Sequence, residues 1–301
     1  MRKAGKIMSN NVSHLVKAME GWKKDLQPYT DAPKGMFGRV LIVETGGVTL
    51  NLEELDIEVV IPFDDDTEAN EAEIAVYNLS KTTIQALKYN NPISVTAGYK
   101  GDTGVIFNGF ISKVTTKKDG VDKITVIQAL DDTDLKERDI TEKAYAGGTK
   151  ASYILKDLIG KLSLPLAVFQ IRRDHTYKDK VNVSGGIMDN IKKYAEVCGI
   201  SVYINKGKIY ARHISEGDNI NFTVNADTGL IGSPEEFEEE ITAEDYKDVV
   251  KGYKFEMLLQ HRLTTAAIIN LESQCVSGQF RVRKGQHTIN ESEAITEVEV
   301  I

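Results

Sequence analysis

Three adjacent carboxylates, Asp64-Asp65-Asp66, form one group of potential ligands in this chain. Such a cluster could bind a hard cation. Ca²⁺ loops alternate their acidic positions and carry a glycine at the sharp turn, so that the oxygens converge. That spacing is absent here, and the expectation is a solvated loop. Gly185-Gly186 precedes an apolar-periodic segment, and a helix N-terminus can hold an anion. The lysine and spacing of a phosphate-binding loop are missing, so the pair reads as plain helix initiation. Cys198 and His213 could meet as a thiol nucleophile and its base. Cys198, however, falls on the apolar stripe of its own helix, where a thiol is buried and inert. Of the five histidines, His14, His175, His213, His261 and His287, no two lie within helical reach. H-E-x-x-H, C-x-x-C and G-x-S-x-G do not occur. Asp and Glu are numerous enough to leave open the carboxylate pair of a cell-wall glycosidase, yet nothing singles out one pair. The expectation is no catalytic, cofactor-binding or metal-ligating residues, and no enzyme.

The bulk numbers agree with an ordinary globular protein. A length of 301 residues suits two or three structural units. The apolar fraction of 41% and charged fraction of 27% are unremarkable for a folded domain. A net charge of -8 argues against non-specific nucleic-acid binding, which needs a cationic face. Two cysteines, Cys198 and Cys275, are too few for a disulfide framework, and both are expected to be reduced and buried. No apolar run approaches the roughly 18–20 residues of a membrane helix. Arg2, Lys3 and Lys6 are not followed by an apolar core, so no signal peptide is expected. The chain is therefore expected to be made and folded in the cytoplasm, and to leave only by lysis or within a particle.

Period-two and period-3.6 patterns place these residues on elements. Val12, Leu15, Val16, Met19, Trp22 and Leu26 recur at helical spacing, which predicts an N-terminal helix within residues 1–35. From Phe37 the period changes to two. Strands are predicted at Arg39–Glu44, Val48–Leu52, Glu53–Pro62, Glu73–Asn78, Ile93–Tyr99, Val105–Val114 and Lys123–Leu130, with a short helix after the N-cap Ser80. The short connections make the sheet mostly antiparallel. Two further helices carry the apolar stripes Ile154, Leu155, Leu158, Ile159, Leu162 and Ile187, Ile191, Tyr194, Ala195, Cys198, the second ending at Gly199. A hairpin follows over Ile200–Ile214. Residues 216–240 read as loop, with Glu235–Glu240 as a solvated acidic stretch, and the chain turns β-like again from Asp245.

The order V-Y-N-L-S (76–80), G-V-I-F-N-G-F-I-S (104–112) and I-T-V-I-Q-A-L-D-D (124–132) resembles the hub proteins of contractile phage baseplates and phage-derived tail particles. That family includes the late-control tail proteins and is similar to the front end of type VI secretion spike proteins. An internal echo accompanies it: Gly109–Leu130 and Gly278–Ile301 each run from a glycine through a strand and a polar tip to an Ile-Thr pair, Ile124-Thr125 and Ile295-Thr296. The resemblance implies a β-rich α+β fold. Its parts are an N-terminal helical extension (1–35), a first tail-tube-like antiparallel β-barrel domain (36–135), a small α+β lobe (145–215) and a second such barrel (216–301). Family members commonly carry a Pro or Pro-Gly in the segment matching Gln260–Ala267, and this chain has none. The implied function is a structural hub: a homotrimeric ring that adapts the sixfold tail tube to the threefold spike. Its implied partners are the tail tube protein, a spike or tail lysin protein and baseplate wedge proteins, with no nucleic-acid specificity and no membrane insertion. The alternatives are a tail-associated cell-wall hydrolase and, for the 145–215 lobe, a peptidoglycan-binding module.

Overall fold

The computed structural model describes residues 36–131, 139–243 and 246–301, with backbone alone at 239–243 and 246–250. The predicted N-terminal helix with Trp22, and Asp132 and Asp134, lie outside the described residues. Strands dominate. In chain order they are β1 (Arg39–Thr45), β2 (Val48–Asn51), β3 (Ile57–Phe63), β4 (Glu71–Tyr77), β5 (Pro92–Tyr99), β6 (Asp102–Asp119), β7 (Asp122–Leu130), β8 (Asp139–Tyr145), β9 (Leu166–Phe169), β10 (Val181–Gly186), β11 (Ser201–Asn205), β12 (Lys208–Arg212), β13 (Asp218–Val224), β14 (Leu230–Ala243), β15 (Tyr246–Leu258), β16 (Ala267–Glu272), β17 (Ser277–Ile289) and β18 (Ala294–Val300). Among the described residues three α-helices join them: α1 (Lys81–Ala86), α2 (Ala151–Ile159) and α3 (Ile187–Cys198).

One long sheet organises the molecule, in the order β14-β15-β18-β17-β3-β4-β7-β6-β5-β1-β2, and its described pairings form an open path. Almost every step is antiparallel. The exception in this sheet is β13 beside β16, and in the separate three-stranded sheet β11-β12-β9 it is β9 beside β12; both are parallel. Period-two burial explains why these segments are strands. Ile57, Val59, Ile61 and Phe63 of β3 point into the core, as do Ala294, Thr296, Val298 and Val300 of β18. The small helix α1 starts where the sequence places it, with the Ser80 hydroxyl accepting the Thr83 amide at 3.0 Å.

The helices α2 and α3 bury the two apolar stripes read from the sequence, and Gly199 ends α3 in the left-handed region at φ 67°. They pack with β8–β12 into a separate apolar cluster running from Ile140 to Ala211. The other two clusters exchange residues. Leu259, Ile289 and Ala294 belong to the core built on β1–β7, and Phe63 of β3 belongs to the core built on β13–β18.

The loop expected over 216–240 is corrected. Residues 218–224 and 230–243 are strands, and the acidic stretch lies in β14, opposite β15. Its alternation carries glutamate where a buried strand would carry valine, so periodicity in apolar residues could not reveal it. Lysines on the facing strand supply the compensation: Glu235 stands opposite Lys254, and Glu238 is ion-paired with Lys251. Cys275 is also corrected. Cys198 is buried, but Cys275 is exposed, in the Ser273–Val276 turn between β16 and β17, and both thiols are free.

Candidate functional site

The two halves of the long sheet meet where β17 uses one edge twice. Its first part, Ser277–Arg281, pairs with β16, and its second part, Gly285–Ile289, pairs with β3. Gly285 makes the approach possible, since a Cβ there would stand 2.3 Å from the Glu297 carbonyl oxygen and 2.6 Å from the Phe63 ring. The Asp64–Asp66 loop follows β3 directly and is thereby carried onto β17. Asp65 is not solvated: it is 9% exposed and accepts from Arg281, itself 4% exposed, at 2.7 Å, with Arg283 at 3.7 Å. Arg281 also donates through Nε to the Glu216 carbonyl at 2.8 Å. The Thr265 hydroxyl donates to the Asp64 carbonyl at 3.0 Å.

Asp64 bears the cost of this docking. Burial and the neighbouring Asp66 carboxylate push its carboxyl up to about 6. A carboxyl raised above its unfolded value holds its proton better in the folded chain, so its contribution is complete below pH 3.8 and is lost as pH rises through about 6. Asp64→Asn keeps an oxygen for the Asp66 amide and removes the charge. Urea denaturation is expected to show the variant more stable than the parent at pH 7, by about 1 kcal/mol, and equal to it at pH 3.5. Equal stability at pH 7 would contradict the buried charge.

A second clamp holds the loop from Gln260 to Ala266, between β15 and β16. Arg262 donates to Asp102 at 2.8 Å and to the Gln260 side chain at 2.7 Å, and His261 Nε2 sits 3.1 Å from the same Asp102. Burial alone would raise the Asp102 carboxyl, but hydrogen bonds from Arg262 and His261 outweigh it and hold it below the usual range. Burial pushes His261 down to about 4, so near neutral pH it is an uncharged donor to Asp102 and not an ion-pair partner.

The echo in the sequence corresponds to the same hairpin built twice. Thr125 of β7 bonds Thr116 at 3.1 Å, Thr296 of β18 bonds His287 Nδ1 at 2.9 Å, and both pairs are nine residues apart. Thr125 and Thr296 are fully buried. Each long strand carries a β-bulge at the same distance from that pair, between Ile111 and Lys113 in β6 and between Val282 and Lys284 in β17. The neighbours also correspond. β4 and then β3 flank β7, β15 and then β14 flank β18, and β5 and β16 flank β6 and β17. The copies diverge outside this frame, where β1 is antiparallel to β5 but β13 is parallel to β16.

Equivalent strands therefore end in unequal situations. The second half of β17 is covered by β3, whereas the matching edge of β6, Lys113–Asp119, faces no strand among the described residues. β14, the counterpart of β3, pairs with β15 alone among the described residues. The open β6 edge displays exposed Lys113, Lys117 and Lys118; β14 displays exposed Glu235, Glu236 and Glu238.

The remaining candidates are not brought together. His213 hydrogen-bonds Ser215 at 2.8 Å, and burial, reinforced by Asp174, pushes the Cys198 thiol up to about 11, away from a reactive thiolate. Gly186 caps α3 without an anion pocket of its own, because Asp189 already places a carboxylate in the first turn. A cleft of about 640 Å³ lies between the Asp65–Ala69 loop and α3, lined by carboxylates and cations of both signs, including Asp65, Asp189, Lys192 and Arg283. Among the described residues no group of three or more His, Cys, Asp or Glu could hold a metal, and no helix is long and apolar enough to cross a membrane.

The profile of a protein family described as baseplate hub gp41 matches residues 39–292. No curated protein matches the chain. Among solved structures, the 43 kDa tail protein of prophage MuSo2 from Shewanella oneidensis aligns over 88% of this chain and 97% of its own, with TM-score 0.64 at 7% identity. A tail protein from Neisseria meningitidis aligns over 88% and 96%, with TM-score 0.62 at 10% identity. An E. coli component of the type VI secretion system, described as similar to the phage T4 tail proteins gp27 and gp5, aligns over 86% and 76%, with TM-score 0.61 at 8% identity. At such identities these likenesses show a shared fold.

Proposed function

Since this chain belongs to the baseplate hub gp41 family, we propose that this structural hub of a phage-type baseplate works as a trimeric ring joining a sixfold tail tube to a threefold spike. The doubled hairpin and its matching flanking strands carry this reading. One chain with two similar units gives three chains six, which reconciles the two symmetries. In this reading 36–135 and 216–301 are the two tube-like barrel domains, 145–215 is a lobe between them and 1–35 an added arm. The separate lobe cluster and the two interleaved β cores support that division. The tail tube protein meets one face of the ring. A spike or tail lysin meets the other, and wedge proteins surround it. Assembly would take place in the bacterial cytoplasm. Sedimentation velocity of the purified chain over a wide concentration range is expected to show a trimer. A stable monomer at the highest concentration would overturn the ring.

A further inference from the structure

We infer that the N-terminal arm, residues 1–35, seats Trp22 in its own chain's cleft between the Asp65–Ala69 loop and α3; the inference takes up the added arm of the reading above but does not need the ring. The cleft joins two bodies. One wall is the loop after β3, which is fixed to the long sheet, and the other is α3 of the lobe. Leu130, Met188 and Ile214 give it apolar surface that is only partly covered. At about 640 Å³ it has the size of a cleft that takes a bulky organic group. Its rim is acidic. Asp66, Glu68, Asp189 and Glu196 are exposed there against one exposed cation, Lys192, while Arg283 is turned to Asp65 at 3.7 Å.

The arm has the complementary chemistry. It carries seven Lys and Arg against three Asp and Glu, a net charge of +4 within a chain of -8. Its predicted apolar stripe holds the chain's single tryptophan, Trp22, between Met19 and Leu26, and Lys23 falls on the same helical face. Such an aromatic anchor flanked by a cation suits an apolar floor with a carboxylate rim. The attachment point allows the reach. Met36 lies against Gly229 and Leu258. Leu258 stands opposite Ile295 of β18, and Val282, beside Arg283, stands opposite Val300. Five residues of strand separate these levels, about 17 Å. The nine residues Gln27–Gly35 span roughly 30 Å when extended. A tether this short gives the arm an effective concentration on the order of millimolar at its own cleft, ahead of a free competitor. Once seated, the arm touches both walls and fastens the lobe to the long sheet.

The test reads the fluorescence of the one tryptophan in the full chain. Its emission is expected to be blue-shifted, and less quenched by acrylamide, relative to the same chain unfolded in urea. A nitroxide attached through Glu196→Cys in a Cys275→Ser background, with Cys198 buried, is expected to quench most of that emission. The same label through Val121→Cys, on the far turn of the β6–β7 hairpin, is expected to leave it unchanged. D66K/E196K reverses two exposed rim charges and is expected to lower the docking constant about tenfold, with circular dichroism checking the fold. A solvent-exposed tryptophan in the folded parent would overturn the inference, as would a buried one that the Glu196→Cys label does not reach or D66K/E196K does not release. Labelled Trp22→Phe chains refolded together with unlabelled parents distinguish the occupants: quenching there would overturn docking within one chain and assign the cleft to a neighbour's arm. Sedimentation judges the ring separately, so either reading can fail without the other.

Discussion

Asp65→Ala is expected to destabilise the protein by about 3–5 kcal/mol, because it leaves the Arg281 guanidinium buried without its carboxylate. Both groups are nearly excluded from water, at 9% and 4% exposure, so the charge left behind cannot be rehydrated where it stands. Arg283 approaches the same carboxylate, which adds a second cation to the uncompensated site. On the usual scaling the unfolding midpoint falls by about 10 °C. The loss comes from the orphaned charge and not from the worth of the pair, so Asp65→Leu with Arg281→Met is expected to recover most of it. Differential scanning calorimetry of the parent, the single and the double variant separates these cases. A loss under about 1 kcal/mol for Asp65→Ala would mean that the loop is solvated after all.

The second large effect is acid destabilisation through histidine. Burial pushes His287 down to about 3 and His261 to about 4, against 6.5 in the unfolded chain. Below pH 6.5 the unfolded chain binds protons that the folded one refuses, so stability falls as pH drops, until the folded values are reached. By pH 5 each histidine contributes a loss of about 2 kcal/mol. Asp64 works in the opposite sense between about 6 and 3.8 and offsets part of it. Asp102, held below its usual range, adds to the loss only below pH 3.8. Urea midpoints at pH 7 and pH 5 are expected to differ accordingly, and His287→Gln is expected to remove more than half of the net difference whatever its effect at pH 7. Identical midpoints at the two pH values would refute this account.

What the sequence made legible was local. Ser80 as a cap, the stripes of α2 and α3, Gly199 as a stop and the period-two strands of β1–β7 all depend on neighbours within a few residues, and all stand in the structure. β14 was missed because its side chains alternate glutamate with little apolar content, and its strand character comes from β15 across the hairpin. Asp65 was misplaced because its partner lies 216 residues away. No spacing rule reaches that far. The Asp102–Arg262 clamp, 160 residues apart, is hidden for the same reason. The uncovered edges of β6 and β14 showed only as the Ile-Thr echo. That pair fixes a hairpin register, and the register decides which half of each long strand is left uncovered.

The β3–β17 junction also has a cost in time. β3 is synthesised more than 200 residues before the strand that covers it. At ordinary elongation rates its edge waits roughly 10–40 s on the ribosome. Phe63, which ends in the later core, waits with it. The lobe between them, with its own apolar cluster, can fold during that interval, but the first sheet cannot finish. The nascent chain is thus held in a half-built state in which any other strand, including one from a neighbouring ribosome, competes for the place of β17. Slow synthesis should favour that trap, and a chaperone that shields β3 should relieve it.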